Sequence, residues 1–473
     1  MPSARTHQPL FHALAFALAA CAGRPAPSAP SAPPAAAQVV PAVAAAPVAD
    51  TTLNVGLYPF VPRPQQFQDA IGAAWAQAQP GVALNFVEWG GGYDADPAGM
   101  DVFVFDAVFL DYFRVKGYIA KLSQAEVQGQ QDYLPYAIQG VAYQDGYSAI
   151  PMLGCANILF YRQGDAAIAN ATTLSALEQA VGQCSYTSQV PPDARGLLLD
   201  MAGGTTNACL YVDVAESISG QWPPTLPPSP VDLDPTAVKR MQSLLATASY
   251  YNATEDPPNG AYGRSAWFSQ GNGRIVMGFT ESMSAMNAEA RSTVQFKVFP
   301  LGDDPTARPL FYSDVIAISS ATPNRGLAVE LANLMASTNV MVASMQATGG
   351  QPAQYLMPTR ASVFQALSQG DPIYGRMQAM VSSSNPILFN VGPNARDWIN
   401  GMKNPIKAAS RANYACGCDQ DGGQLTSQAQ ANETCPKVCA GFGGWNGQWT
   451  PYPPGGTKAW RGGCGCKGCP VGQ

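Results

Sequence analysis

The stretch TLNVGLYPFVPRPQQFQDAIGAAWAQAQPGVALNFVEWGGGYDADPAGMDVFVF, residues 52–105, contains the order of elements that decides the fold class. Thr52–Tyr58 alternates apolar and polar side chains as a strand does, and Val82–Glu88 does the same. Between them, over Pro64–Gln79, Phe67, Ile71 and Trp75 recur at helical spacing. Asp101–Phe105 adds a short apolar run of β-forming residues. Working outward, Ser148–Leu153, Asn157–Tyr161, Arg274–Phe279 and Val315–Ser319 also read as strands. Helical patterns lie near 172–182, 235–249, 326–347, 361–368 and 373–381. Strands alternating with helices predict an α/β fold of mostly parallel sheets covered by helices. Residues 51–411 exceed what one core usually organises, so two lobes with a ligand cleft between them are expected.

Composition narrows the function. The chain has 473 residues, 47% of them hydrophobic and only 12% charged, with a net charge of −6. Nothing in that balance would neutralise nucleic-acid phosphates. The two histidines, His7 and His12, both fall at the extreme N-terminus. Residues 1–20 read as a bacterial signal peptide, with Arg5 followed by an apolar run from Leu10 to Ala20. Leu18-Ala19-Ala20-Cys21 resembles a lipoprotein cleavage box that would leave Cys21 lipidated. Residues 21–50, rich in Ala and Pro, read as a tether. A chain processed there has no histidine, which excludes Ser-His-Asp and Cys-His catalysis and His-ligated zinc. No later segment has eighteen consecutive apolar residues, so no transmembrane helix is expected. The expected location is outside the cytoplasm, lipid-anchored or secreted.

A base for chemistry must then be Asp, Glu, Lys, Tyr or Cys. Cys155, in SAIPMLGCANILFYRQGD, follows a glycine and has apolar neighbours; it reads either as a buried structural cysteine or as a thiol needing a base. Glu281, in GRIVMGFTESMSAM, comes directly after a buried strand. It reads either as a first-turn helix acid or as a carboxylate raised by burial into a base for a thiol. Asp106 and Asp314 are similar carboxylates at strand edges. Tyr58, Tyr262 and Trp267 are candidate stacking faces or core residues. MAGGTTNA, residues 201–208, lacks both the lysine of a P-loop and GxGxxG spacing; it reads as a loop or a helix start.

The segments LYPFVPRPQQFQDAI, DVFVFDAVFL, LPYAIQG, GCANILFYRQGD, GLLLDMAGGTT, RSAWFSQGNGR, TESM, LFYSDVIA, LANLMAS and QPAQYLMPTR, in order over residues 53–400, resemble the thiaminase I (thiamine pyridinylase) family. The resemblance implies a periplasmic-binding-protein-like (type II) body, with Cys155 as nucleophile and Glu281 as general base. The thiol adds to C6 of the aminopyrimidine, the thiazole leaves the bridging methylene, and an exogenous pyridine, amine or thiol takes its place. Asp106, Asp314, Tyr58 and Tyr262 would hold the pyrimidine. No cofactor and no metal is implied, and a monomer is the expectation. Gly278-Phe279-Thr280-Glu281-Ser282 departs from the family's GYSES: Phe279 keeps a ring for stacking but loses a hydroxyl. Cys184 and Cys209 fall where the family lacks cysteine and would form an added disulfide. The alternative on the same fold is a non-catalytic receptor for thiamine or its pyrimidine.

The tail, residues 412–473, changes character. Seven of the eleven cysteines lie between 416 and 473. Behind a signal peptide such spacing predicts a disulfide-stapled small domain rather than a zinc module. LTSQAQANETCPKVCAGFGGWNGQWTP resembles the repeat of mannan-binding lectins. This implies glycan contact through Gln448, Trp449 and Thr450, although Thr426 stands where a tryptophan is expected. Trp449 reads equally as the tryptophan of a tiny core. A third reading of the whole chain is a glycan-binding adhesion protein with an inert body. Asn170, Asn252 and Asn432 occupy N-x-[ST] sites, expected to be unmodified in a bacterial host.

Overall fold

A computed structural model of the chain describes residues 51–182, 191–192, 194–248, 250–258, 260–412, 419–450 and 462–466. The signal peptide, Cys21 and the tether therefore lie outside the described residues, as does Cys184.

The opening stretch folds as its periodicity predicts. Strand Thr51–Gly56 is followed by helix Pro64–Ala78 and strand Val82–Val87, which pairs parallel to the first. Pro64 stands in the first helical turn, where its missing N–H costs nothing. Phe67, Ile71 and Trp75 form the buried stripe, and the Trp75 indole N–H donates to the Val82 carbonyl at 3.0 Å. That bond ties the end of the helix to the start of the next strand.

The first lobe is built on a seven-stranded sheet. Its order is Met357–Pro358, Ile150–Ala156, Leu310–Ile318, Val102–Asp106, Thr51–Gly56 and Val82–Val87, with Ile387–Leu388 beside one end of Leu310–Ile318. The second lobe has four strands in the order Gln295–Val298, Ile158–Tyr161, Ile275–Gly278 and Leu197–Leu198. The sheets are mixed rather than mostly parallel. Leu310–Ile318 runs antiparallel to both its long neighbours, and Ile158–Tyr161 runs antiparallel to both of its own. The reason lies in two direct passages of the chain between sheets, at Asn157 and at 299–309. Neither uses the covering helix that forces a parallel return.

Asn157 is the joint of these passages. The backbone N–H of Phe299 donates to its carbonyl at 2.8 Å, and its amide donates to Asp213 Oδ2 at 2.7 Å. A cavity of about 370 Å³ opens here, lined in part by Asn157, Asp213, Glu216 and Arg308. Asp213 and Glu216 lie on helix Gly204–Ser219, which begins inside the glycine-rich MAGGTTNA segment. The long pattern at 326–347 is two helices, Arg325–Met335 and Thr338–Met345, with Ser337 capping the second. Helix Ala395–Arg411 closes the body and buries Ala395, Trp398, Ile399, Met402 and Ile406 at helical spacing, a stripe the reading of the sequence passed over.

In the tail, strands Asp419–Gly423, Trp445–Thr450 and Gly462–Cys466 form a small sheet against helix Gln428–Val438. Cystines Cys435–Cys464 and Cys439–Cys466 make up most of its core. The disulfide-stapled domain expected from cysteine spacing is present in these four residues; Cys416, Cys418 and Cys469 lie outside the described residues.

Candidate active site

The strand carrying the cysteine is longer than its sequence suggests. Ile150–Ala156 runs unbroken through Gly154 and Cys155, so Cys155 sits in the ladder opposite Tyr312 of Leu310–Ile318. Gly154 is required there: a Cβ would lie 2.1 Å from the Tyr136 hydroxyl and 2.9 Å from Met357 Cε. Asp314 is likewise in mid-strand rather than at an edge, paired with Asp106 on one side and Leu153 on the other. Asp106 ends its strand and caps the turn that follows, with Oδ1 accepting from the Val108 N–H at 3.0 Å. Its Oδ2 accepts from the Tyr93 hydroxyl at 2.9 Å.

The second lobe contributes Glu281. It lies in a 3-10 turn, Thr280–Ala285, directly after strand Ile275–Gly278, and is buried at 6% exposure. Its Oε2 has no hydrogen-bond partner. A carboxylate oxygen buried without a donor is costly, and burial pushes Glu281 up to about 7 against the pull of its own backbone N–H. Burial raises Asp106 to about 6, opposed by the bonds from Val108 and Tyr93. Asp314 is driven well above the carboxylate range by burial, then by Asp106 and Glu281.

Cys155 feels all three. Its thiol is held well above its ordinary value by burial first, then by Glu281, Asp314 and Asp106. At neutral pH the resting group is the thiol, and Glu281 is its strongest charged neighbour. Tyr58 and Tyr262 belong to the same cluster. Tyr58 is within electrostatic reach of Asp314, Asp106 and Cys155, and Tyr262 of Glu281, Cys155 and Asp314. Phe279 is 37% exposed and meets the Tyr312 ring edge-on, with centroids 6.2 Å apart. The structure thus brings together Cys155, Glu281, Asp106, Asp314, Tyr58, Tyr262 and Phe279 from segments spread over more than half the chain. Trp267, 4% exposed, instead packs in the second-lobe core.

Two cleft residues escaped the reading of the sequence. Tyr93 orients Asp106. Tyr312 pairs with Cys155 and stacks on Phe389 at 4.5 Å. Its place two residues before Asp314 in an alternating strand was the signal, since i and i+2 share a face. Cys209, expected as half of a disulfide, also borders this cluster. It is a free thiol on helix Gly204–Ser219, with Asp106 and Asp213 as its electrostatic neighbours. Its expected partner, Cys184, lies outside the described residues; Cys209 itself packs against the body core near Asp106.

The Thiaminase-1 domain matches residues 156–302. Thiaminase-1 of Paenibacillus thiaminolyticus is 37% identical over 372 residues, 76% of this chain and 88% of the relative. The chain belongs to the thiaminase I family. Clostridium botulinum thiaminase I, solved in complex with thiamin, superposes with a TM-score of 0.73 at 34% identity, covering 76% of this chain and all of that one. Thiaminase I from Bacillus thiaminolyticus gives 0.71 at 36% identity, over 76% and 99% of the two chains. A mannitol-bound solute-binding protein of Agrobacterium vitis, 14% identical with a TM-score of 0.59, shares the fold alone. The two-lobed, periplasmic-binding-protein-like body expected from the sequence stands, and with the family stands its class, a thiamine-degrading transferase. Among the described residues of this thiaminase I, no three His, Cys, Asp or Glu side chains converge to hold a metal.

In the tail of this thiaminase I, Trp449 lies on strand Trp445–Thr450 and packs against the cystine core. Its indole N–H donates to Gln428 Oε1 at 2.8 Å. Gln448 and Thr450 lie on the same strand.

Proposed function

We propose that this thiaminase I cleaves thiamine by covalent catalysis at Cys155. The carrying observation is the meeting of a half-buried thiol with a buried carboxylate, Glu281, whose Oε2 is unpartnered. Glu281 takes the proton as Sγ adds to C6 of the aminopyrimidine. Asp106 and Asp314 accept from the amino group and a protonated ring nitrogen, and Tyr58 and Tyr262 provide flat contact. The positive charge of thiamine offsets the three carboxylates that hold the thiol neutral, so substrate binding itself favours the thiolate. The thiazole leaves from the methylene, and an exogenous pyridine, amine or thiol replaces it.

Export fits this reading. An enzyme that destroys thiamine would deplete a cytoplasm, and the N-terminal segment reads as a signal with Cys21 as lipid anchor. The tail would bind mannose-type glycans through Gln448, Trp449 and Thr450. The Gln428 bond and the packing of Trp449 favour the structural role for that indole, so sugar contact would fall to its exposed edge.

Thiamine loss with and without aniline, in the wild type and in Cys155→Ser, tests the proposal. Acceptor-dependent thiazole release, abolished in the variant, is expected. Tight thiamine binding without turnover in either protein would mean a receptor, and would sink the transferase reading.

A further inference from the structure

Among the described residues the large apolar side chains left exposed are Phe60, Val115, Ile218, Val231 and Phe279. Two are aromatic, and both border the cysteine cleft. Phe60 stands two residues after Tyr58, at 56% exposure, and Phe279 stands two residues before Glu281, at 37%. They come from different lobes. Phe60 follows strand Thr51–Gly56 of the large sheet, and Phe279 follows strand Ile275–Gly278 of the small one.

Neither ring is loose. Phe60 meets Tyr58 at 5.3 Å and Tyr93 at 5.8 Å, with interplanar angles of 74° and 83°. Phe279 meets Tyr312 at 72°. Near-perpendicular contacts of this kind favour aromatic pairs and hold the rings in place. Here they leave much of each ring uncovered. Exposed apolar surface beside a reactive centre calls for an occupant. The rest of the cleft does not supply that need: Asp106, Asp314 and Glu281 suit the amino group, the ring nitrogen and the positive charge of thiamine.

We infer that Phe60 and Phe279 form the acceptor subsite, which takes a flat, uncharged aromatic base in preference to an aliphatic nucleophile. The inference rests on the transferase reading above. Once the thiazole has left, the acceptor nitrogen lone pair forms a C–N bond to the methylene carbon. The exocyclic C=C pair moves into the ring, and the C6–S bond breaks with its electrons returning to Cys155 Sγ. A pyridine nitrogen has no proton to lose. Glu281 returns to Sγ the proton it took from the thiol as the C6–S bond breaks; an aryl amine then gives up one proton, which the Glu281 carboxylate accepts and passes to solvent.

The experiment measures KM for aniline and for 2-mercaptoethanol at saturating thiamine in the wild type, Phe60→Ala and Phe60→Tyr. The side chain is mostly in solvent, so folding does not depend on it. In Phe60→Ala the ratio of the aniline KM to the mercaptoethanol KM should rise about fivefold, the size of a lost aromatic contact. Phe60→Tyr, which keeps the ring, should restore the wild-type ratio. An unchanged ratio in Phe60→Ala overturns the subsite. So does a thiamine KM that rises by the same factor as the aniline KM, since Phe60 would then be seating the thiazolium. A wild type with no acceptor-dependent turnover removes the transferase reading itself, and the subsite with it.

Discussion

Asp106 and Asp314 stand directly opposite each other in the antiparallel pairing of Val102–Asp106 with Leu310–Ile318. Like charges in that position repel, and the burial of Asp106 beside a half-buried Asp314 makes the arrangement a cost to folding that a cationic, hydrogen-bond-donating ligand repays. Asp314→Asn should therefore stabilise the free protein by about 1 kcal/mol while raising the KM for thiamine at least tenfold. Thermal unfolding and steady-state kinetics on one preparation check both. A variant of lower Tm and unaltered KM would contradict the assignment.

The pH dependence follows from Glu281. Its carboxylate must be ionised to take the thiol proton, and burial holds it at about 7. The acid limb of kcat/KM should accordingly rise through about 7 rather than through the usual range near 4. Glu281→Gln should remove that limb and lower kcat/KM by about a hundredfold or more.

The same substitution should have the opposite effect on the bare thiol. Glu281 is the largest electrostatic contributor holding Cys155 up. Removing its charge lowers the thiol pKa, so iodoacetamide should alkylate Cys155 faster in Glu281→Gln than in the wild type at pH 8. Equal rates would mean that Glu281 does not act on the cysteine in the free protein.

Gly154 makes a packing prediction. A methyl group there meets the rigidly held Tyr136 hydroxyl at 2.1 Å. Gly154→Ala should destabilise by about 2–3 kcal/mol and displace Cys155, its neighbour on the strand. Tyr136→Phe removes the clashing oxygen and should recover part of the loss, which denaturant titration of the single and double variants would measure.

The cavity beside Asn157 supplies a stability prediction. Asp213 is raised to about 7 by burial and by Glu216, which is itself at about 7. An acid whose folded value exceeds its unfolded value binds its proton more tightly when folded. Its contribution is complete below about 4 and is lost as pH rises through 7. The protein should lose a few kcal/mol over that window. Asp213→Asn should flatten the loss, as read from urea midpoints at pH 5 and pH 7.5.

Much of this was legible in one dimension. Helix Pro64–Ala78 came from Phe67, Ile71 and Trp75, and the tail domain from its cysteine spacing. The reading failed where local pattern is silent about partners. Gly154-Cys155-Ala156 looked like a break between strands, because nothing in it states that Tyr136 and Met357 need the space of a missing side chain. Helix Gly204–Ser219 opens with glycines, which by themselves read as a loop or a helix start. Cys209 reads as half of a disulfide, and only the fold places it near Asp106.

The sequence by itself determined the chemistry available to this protein. With histidine confined to residues 7 and 12, any base for Cys155 had to be a carboxylate or another uncommon group, and Glu281 followed a buried strand. Only the tertiary structure decided that the two act on each other. Cys155 lies on the large sheet and Glu281 in the turn after a strand of the small one, and their interaction depends on two chain passages at Asn157 and 299–309 that bring the sheets together. The raised values at Glu281, Asp106 and Asp314 come from water excluded by that packing, and desolvation is a property of the assembled cleft that no local segment contains.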